Sequence, residues 1–211
     1  MLIILDFDYT LFDTARFKDA LVAVVEKCGP TREEVLRSYS DVVNRPGCGY
    51  DYDPDLQLEL LASRLTCPLH EVRAALDAVA ARAAAFVYPG AADFLDALRS
   101  RGHRLVLLTL GNDSWQRLKV RHSGLAERFD TYETTLQDKA AALRRIAAAG
   151  EAVVVNDNGR EVAAMRRSVP GLAYIIKRGP KPLPDDPSIP VCDTYGEILE
   201  VIDGLAAAQM R

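Results

Sequence analysis

The chain has 211 residues, with 26 Lys and Arg against 30 Asp and Glu, giving a formal net charge of −4. No cationic excess is present to neutralise a phosphate backbone, which argues against a dedicated nucleic-acid-binding domain. Hydrophobic residues at 49% and charged residues at 27% are the proportions of a globular chain rather than a disordered one. No apolar run approaches the roughly 20 residues of a membrane span, so no membrane partner is expected. The first run, Met1-Leu-Ile-Ile-Leu5, is too short for a secretory core. Cys28, Cys48, Cys67 and Cys192 form no Cys-x-x-Cys pair, so they are expected as reduced side chains in a cytoplasmic protein. The length suits one domain with a large insertion, or two small domains.

In chain order, Leu2–Leu5 is a continuous apolar run, the signature of a strand buried on both faces of a parallel sheet. The next stretch, 14–88, holds no such run. It carries four helical patterns: a stripe of Phe17, Leu21, Val24, Val25 and Cys28 closed by Gly29-Pro30, then 31–43, then 54–65. The fourth is a stripe of Leu69, Val72, Leu76, Val79, Ala83 and Phe86. Four amphipathic helices can bury their stripes against one another as a small bundle.

From 89 onward strand and helix alternate. Apolar runs at 104–109, 152–155 and 172–176 predict strands, and a short strand is expected around Val191 and Cys192. Helical patterns at 89–99, 114–122, 137–149, 161–168 and 196–208 lie between or after them, several stopped by glycine. This order predicts an α/β fold, a parallel sheet with helices on both faces. The core is then 1–13 with 89–211, and the helical insertion is 14–88. The segment 179–190 holds five prolines and reads as an extended surface loop.

The chemistry concentrates at the strand ends. Asp6 and Asp8 follow the first strand in Asp6-Phe7-Asp8-Tyr9-Thr10-Leu11, where open α/β sheets place their ligands. Two carboxylates this close repel each other, and a hard cation such as magnesium, held by one or two carboxylates and a substrate phosphate, resolves the cost. The plain alternative is a strand-end Asp followed by an Asx-type turn. Other strand ends add to the pattern. Thr109 and Leu110 precede Gly111-Asn112, whose backbone N–H groups could cradle an anion. Lys139 opens a helix, and Asn156, Asp157, Asn158 and Glu161 follow the strand at 152–155.

With these residues in place, the chain resembles the haloacid dehalogenase superfamily of phosphohydrolases along essentially its whole length. The first motif of that family, Asp-x-Asp-x-Thr/Val-Leu after an apolar strand, matches Asp6 to Leu11. Its Thr or Ser at a strand end matches Thr109, its Lys matches Lys139, and its Gly-Asp-x-x-x-Asp matches Asn156-Asp157-Asn-Gly-Arg-Glu161. In the last motif Asn stands for Gly and Glu for the final Asp. The all-helical insertion and the junction Tyr88-Pro89-Gly90 are similar to members whose cap follows the first motif.

The resemblance implies a three-layer, Rossmann-like core with an inserted helical cap. It also implies a magnesium-dependent phosphatase acting on a small phosphorylated metabolite through an aspartyl-phosphate. Asp6 is then nucleophile and metal ligand. Asp8 is general acid and base, its backbone carbonyl also reaching the metal. Asp157 completes the metal ligands with Glu161 in support, so that the four carboxylates share one cation. Thr109, Leu110 and Lys139 hold the phosphoryl oxygens. Carbon–halogen cleavage needs no acid for its leaving group, and the members that perform it lack the second Asp. A phosphomutase or phosphotransferase is a variant of the same chemistry, and a non-catalytic phospho-acceptor is the alternative from another class.

The remaining residues say less. The loop 44–54 could face the active site as a specificity loop or be an ordinary surface loop. Arg16 and Lys18 could attract an anionic leaving group or be solvated. Trp115 is assigned to the core, His70, His103 and His122 are too scattered to be ligands, and the alanines at 80–85 serve close helix packing.

Overall fold

The computed structural model describes residues 1–45, 52–147 and 151–209. The sheet consists of β1 (Leu2–Leu5), β2 (Arg104–Leu110), β3 (Thr131–Thr135), β4 (Ala152–Asn156), β5 (Ala173–Lys177) and β6 (Val191–Cys192). All pairings are parallel, in the order β3-β2-β1-β4-β5-β6. The chain builds outward from β1 through β2 and β3, then returns to continue on the other side with β4. That reversal puts the topological switch point at β1 and β4, where a crevice opens beyond the carboxyl ends of the strands.

Four helices leave and return between β1 and β2: α1 (Thr14–Glu26), α2 (Arg32–Val43), α3 (Pro54–Leu61) and α4 (Leu69–Ala80). The starts of α1, α2 and α3 are capped by the local sequence. Asp13 accepts from the Arg16 N–H, and Thr31 and Glu34 form a reciprocal capping box. Then come α5 (Ala91–Ser100), α6 (Asp113–His122), α7 (Lys139–Ile146), α8 (Gly159–Ser168) and α9 (Tyr195–Gln209).

The alternation of side chains along the strands sorts these helices into layers. Ile3, Leu5, Leu105 and Leu107 face a core shared with Leu95 and Leu98 of α5, Val120 of α6 and Ile198 of α9. Ile4, Val106 and Val154 face the other side with Leu143 of α7 and Val162 and Met165 of α8. The first core runs on without a break into the insertion, through Phe12, Phe17, Val22, Val25, Leu58 and Leu76. Aromatic contacts form the junction: Phe12 to Phe17 at 5.2 Å, Phe17 to Phe86 at 5.3 Å and Phe17 to Trp115 at 6.1 Å between ring centroids. The two chain crossings are bonded to each other, with the Asp13 N–H donating to Phe86 O and the Tyr88 N–H to Leu11 O.

The α/β architecture with its helical insertion agrees with the sequence reading. One strand was not expected. β3, Thr-Tyr-Glu-Thr-Thr, lies at the sheet edge with no residue buried, so it lacks the apolar run that marked the others. Of the loop at 44–54, residues 46–51 lie outside the described residues, as does Cys48. Cys28, Cys67 and Cys192 are free thiols. No helix among the described residues is long and apolar enough to cross a membrane.

Candidate active site

Asp6 is the first residue beyond β1, and its N–H still donates to Val155 O at 3.0 Å, which ties it to β4. The chain then turns sharply. Phe7 O accepts from the N–H groups of Thr10, Leu11 and Phe12, and Tyr9 takes a left-handed φ of 60°, a conformation that L side chains adopt at a cost. Phe7 drops into the core, stacked on Phe12 at 4.8 Å. Asp6, Asp8 and Tyr9 line a cavity of about 310 Å³.

Around Asp6 the charges are buried and interlocked. Asp6 Oδ1 accepts from the Phe7 N–H at 2.8 Å and pairs with Lys139 Nζ at 2.8 Å, while Oδ2 accepts no hydrogen bond from any described residue. Lys139 also reaches Glu161 Oε2 at 2.8 Å, with its side chain only 3% exposed. Asp138 caps α7 through the Ala140 N–H and so sets the helix start that delivers this lysine. Burial, the Glu161 and Asp8 charges push the Asp6 carboxyl up against the pull of Lys139. Burial and the Asp6 charge push Asp157 up in the same way. Glu161 is also raised by burial, but Lys139 and hydrogen bonds from Asn156 and Asn158 outweigh that and hold it low. Asn156, standing where the family motif has Gly, also accepts from the Asn158 N–H at 2.7 Å; its amide therefore shapes the acidic turn.

Asp8 is held by a separate set of donors. Lys119 Nζ donates to both of its carboxylate oxygens at 2.7 and 3.0 Å, Gln116 Nε2 to Oδ2 at 2.7 Å, and Thr14 Oγ1 to Oδ1 at 2.6 Å. The Lys119 side chain is 5% exposed, with its ammonium 5.6 Å from the Phe7 ring centroid and 5.7 Å from that of Phe12. Burial raises the Asp8 carboxyl, but the Lys119 charge and these hydrogen bonds outweigh it and hold the group below its ordinary value.

Thr109 is fully buried at the end of β2, and its Oγ1 accepts from Gln116 Nε2 at 3.0 Å. Leu110 lines the cavity, its carbonyl engaged by the same Gln116 amide at 2.6 Å. The expected anion cradle at Gly111-Asn112 is altered: the Gly111 N–H donates to Thr135 O at 2.8 Å, and the Asn112 side chain caps α6. β3, the unexpected strand, takes up that N–H. Trp115, assigned to the core, is buried but also lines the cavity.

The six expected side chains Asp6, Asp8, Thr109, Lys139, Asp157 and Glu161 therefore all border one cavity, together with Leu110. Lys119 and Gln116 were not expected. Their signal is faint: with Trp115 and Val120 they make up the buried stripe of α6, and a Lys and a Gln at buried helical positions call for polar partners.

The four carboxylates do not gather into one cluster. Among the described residues no three of His, Cys, Asp or Glu lie close enough to hold a metal ion; Lys119 is paired with Asp8 and Lys139 with Glu161. The site still suits a hard cation. Among the described residues Asp157 Oδ2 is buried with no hydrogen-bond partner, Asp6 borders the same cavity, and magnesium needs only one or two carboxylates when a phosphate completes its shell.

A family model for haloacid dehalogenase-like hydrolases matches residues 3–164. No curated protein matches the sequence. Among solved structures, a Burkholderia xenovorans LB400 protein described as a haloacid dehalogenase-like hydrolase superposes with a TM-score of 0.76 at 20% identity, covering 94% of each chain. The L-2-haloacid dehalogenase of Xanthobacter autotrophicus, with chloropropionic acid covalently bound, gives 0.64 at 15% identity over 97% of this chain and 99% of its own. A Haemophilus somnus 129PT protein described as a predicted phosphoglycolate phosphatase gives 0.61 at 15% identity over 95% and 97%. At such identities these likenesses speak for the fold, which both dehalogenases and phosphatases share. The match over residues 3–164 carries the assignment: this chain belongs to the haloacid dehalogenase-like hydrolases.

Proposed function

We propose that the chain is a phosphatase that hydrolyses a small phosphate monoester through an aspartyl-phosphate on Asp6. The observation that carries this reading is the Asp8 carboxylate, fixed beside the nucleophile by Lys119, Gln116 and Thr14. A halide leaves without a proton, so dehalogenation has no task for a second acid. Ester cleavage and hydrolysis of an acyl-phosphate both move protons, and a positioned carboxyl serves each step.

In the first step Asp6 attacks phosphorus, the P–O bond to the leaving group breaks, and the leaving oxygen takes a proton that Asp8 has first acquired from solvent. In the second, Asp8 takes a proton from water as its oxygen bonds to phosphorus, the acyl-phosphate P–O bond breaks, and phosphate leaves with Asp6 restored. Lys139 and Thr109 hold the phosphoryl oxygens and offset their charge. Asp6, Asp157 and the Asp8 backbone carbonyl would hold magnesium, with Glu161 in support; the bound cation supplies charge neutralisation at the phosphoryl group. Asp8 held ionised is already in the form the second step needs. In the first step the same hold opposes protonation, which favours esters of acidic alcohols such as phenols.

The reading is tested by assaying 4-nitrophenyl phosphate for phosphate release, with magnesium and with chelator, in parallel with 2-chloropropionate for halide release. Magnesium-dependent phosphate release without halide supports it. Halide release with no phosphate release overturns it.

A further inference from the structure

Two cations in the cavity have no part in the chemistry above. Lys18, on α1, sits with Nζ 3.7 Å from the Tyr39 ring centroid, and Lys181 sits with Nζ 5.1 Å from that of Tyr9. Both line the cavity that holds Asp6 and Thr109. Among the described residues, neither has a carboxylate within salt-bridge distance. They come from separate parts of the chain: Lys18 from the helical insertion, Lys181 from the proline-rich loop after β5.

The path of that loop is fixed by close packing. The Gly159 N–H donates to Pro182 O at 2.8 Å. A Cβ on Gly159 would lie 2.3 Å from Leu183 C and Pro184 N, so only glycine lets the loop lie against the start of α8. At its near end Gly179 comes down beside the Asp157 carboxylate and the Tyr9 carbonyl. The segment read as a surface loop is therefore seated against the metal-binding turn, and it carries an ammonium to the cavity.

The same cavity is also lined by the apolar and aromatic side chains of Phe17, Leu21, Tyr52 and Trp115. Two ammonium groups in one cavity repel each other; burial and the Lys181 charge both disfavour the charged form of Lys18, against the pull of Asp19. An anion received between them removes that repulsion. We propose that Lys18 and Lys181 form a two-sided clamp for a second anionic group, so that the preferred substrate is a phosphate monoester whose apolar, ring-sized leaving group carries its own carboxylate or phosphate. This rests on the phosphatase reading, and the distal anion takes no part in bond making or breaking.

The experiment compares phenyl phosphate with 4-carboxyphenyl phosphate in wild type, Lys18→Met, Lys181→Met and the double variant. The wild type should favour the carboxylated ester by about tenfold in kcat/KM, chiefly through KM. Each single variant should reduce that ratio several-fold and the double variant should bring it to about one, with Lys181→Arg restoring part of it. A ratio near one in wild type, or one that survives in the double variant, overturns the clamp. Binding of benzylphosphonate and 4-(phosphonomethyl)benzoate by calorimetry gives the same comparison without turnover. If wild type hydrolyses neither ester, the phosphatase reading fails. The clamp then stands if the carboxylated phosphonate keeps a lysine-dependent advantage, and falls if it does not.

Discussion

At the sheet end of the cavity the cations are buried and already paired: Lys139 lies between Asp6 and Glu161, and Lys119 is fixed on Asp8. Away from those pairs, Lys18 of the insertion and Lys181 of the loop after β5 rest on aromatic rings, with no carboxylate of a described residue in salt-bridge range. Buried pairs are costly to break, because removing one partner strands the other in a low dielectric. Exposed or half-buried cations cost little to replace. The sheet end is thus preorganised for one reaction at the expense of tolerance to change, while the outer end is free to determine which molecule is brought to it.

The largest effect should come from Asp6→Asn, which removes the nucleophile and should reduce kcat/KM for 4-nitrophenyl phosphate by at least about 10³-fold. Near-wild-type activity in this variant would dissolve the distinction between the two ends. Next, Lys139→Met leaves Asp6 and Glu161 unpaired and should cost about 3–5 kcal/mol in urea unfolding near neutral pH. Without the lysine, both carboxyls have folded pKa values above their unfolded ones. Their penalty therefore grows as pH rises and shrinks as pH falls, and the deficit should be smaller near pH 5 than near pH 7. A deficit that stays constant with pH would mean that Lys139 acts through packing alone.

Lys119→Met should act on proton transfer. Removing the ammonium lets burial raise the Asp8 carboxyl, so the alkaline limb of kcat should move to higher pH by about one unit or more. Activity at neutral pH should fall about tenfold from lost positioning, with Lys119→Arg keeping the wild-type profile. An unchanged profile in Lys119→Met would remove the lysine from the mechanism. The smallest effect is expected for Gly159→Ala, at the seam between the two ends. The added methyl must push back the loop at Pro182 to Pro184, costing about 1–3 kcal/mol and weakening the preference for a carboxylated ester several-fold through Lys181. Wild-type stability and preference would show that the loop is not seated there.

The same contrast explains what could be read from the sequence. Asp6, Thr109, Lys139, Asp157 and Glu161 stand at strand ends or helix starts, where a short apolar run or a cap marks the place, and the fold brings them together by topology alone. Gln116 and Lys119 lie one and two turns into a helix. Only knowing which face of α6 meets Asp8 reveals their role, and that depends on packing over Phe7 and Phe12. β3 was hidden because an edge strand needs no apolar run. Lys181 was hidden because nothing in a proline-rich segment says that Gly159 will receive it. The spacing of the acids was hidden for a related reason: among the described residues no three of them lie close enough to hold a metal ion, and a sequence shows the acids but not which lysines reach them.

The most direct test of the account is whether phosphoryl becomes attached to Asp6. Acid-quenched turnover of 4-nitrophenyl phosphate, digested and analysed by mass spectrometry, should yield a phosphoryl adduct on the peptide containing Asp6 and none in Asp6→Asn. Sustained turnover with that peptide unmodified at every quench time would contradict it.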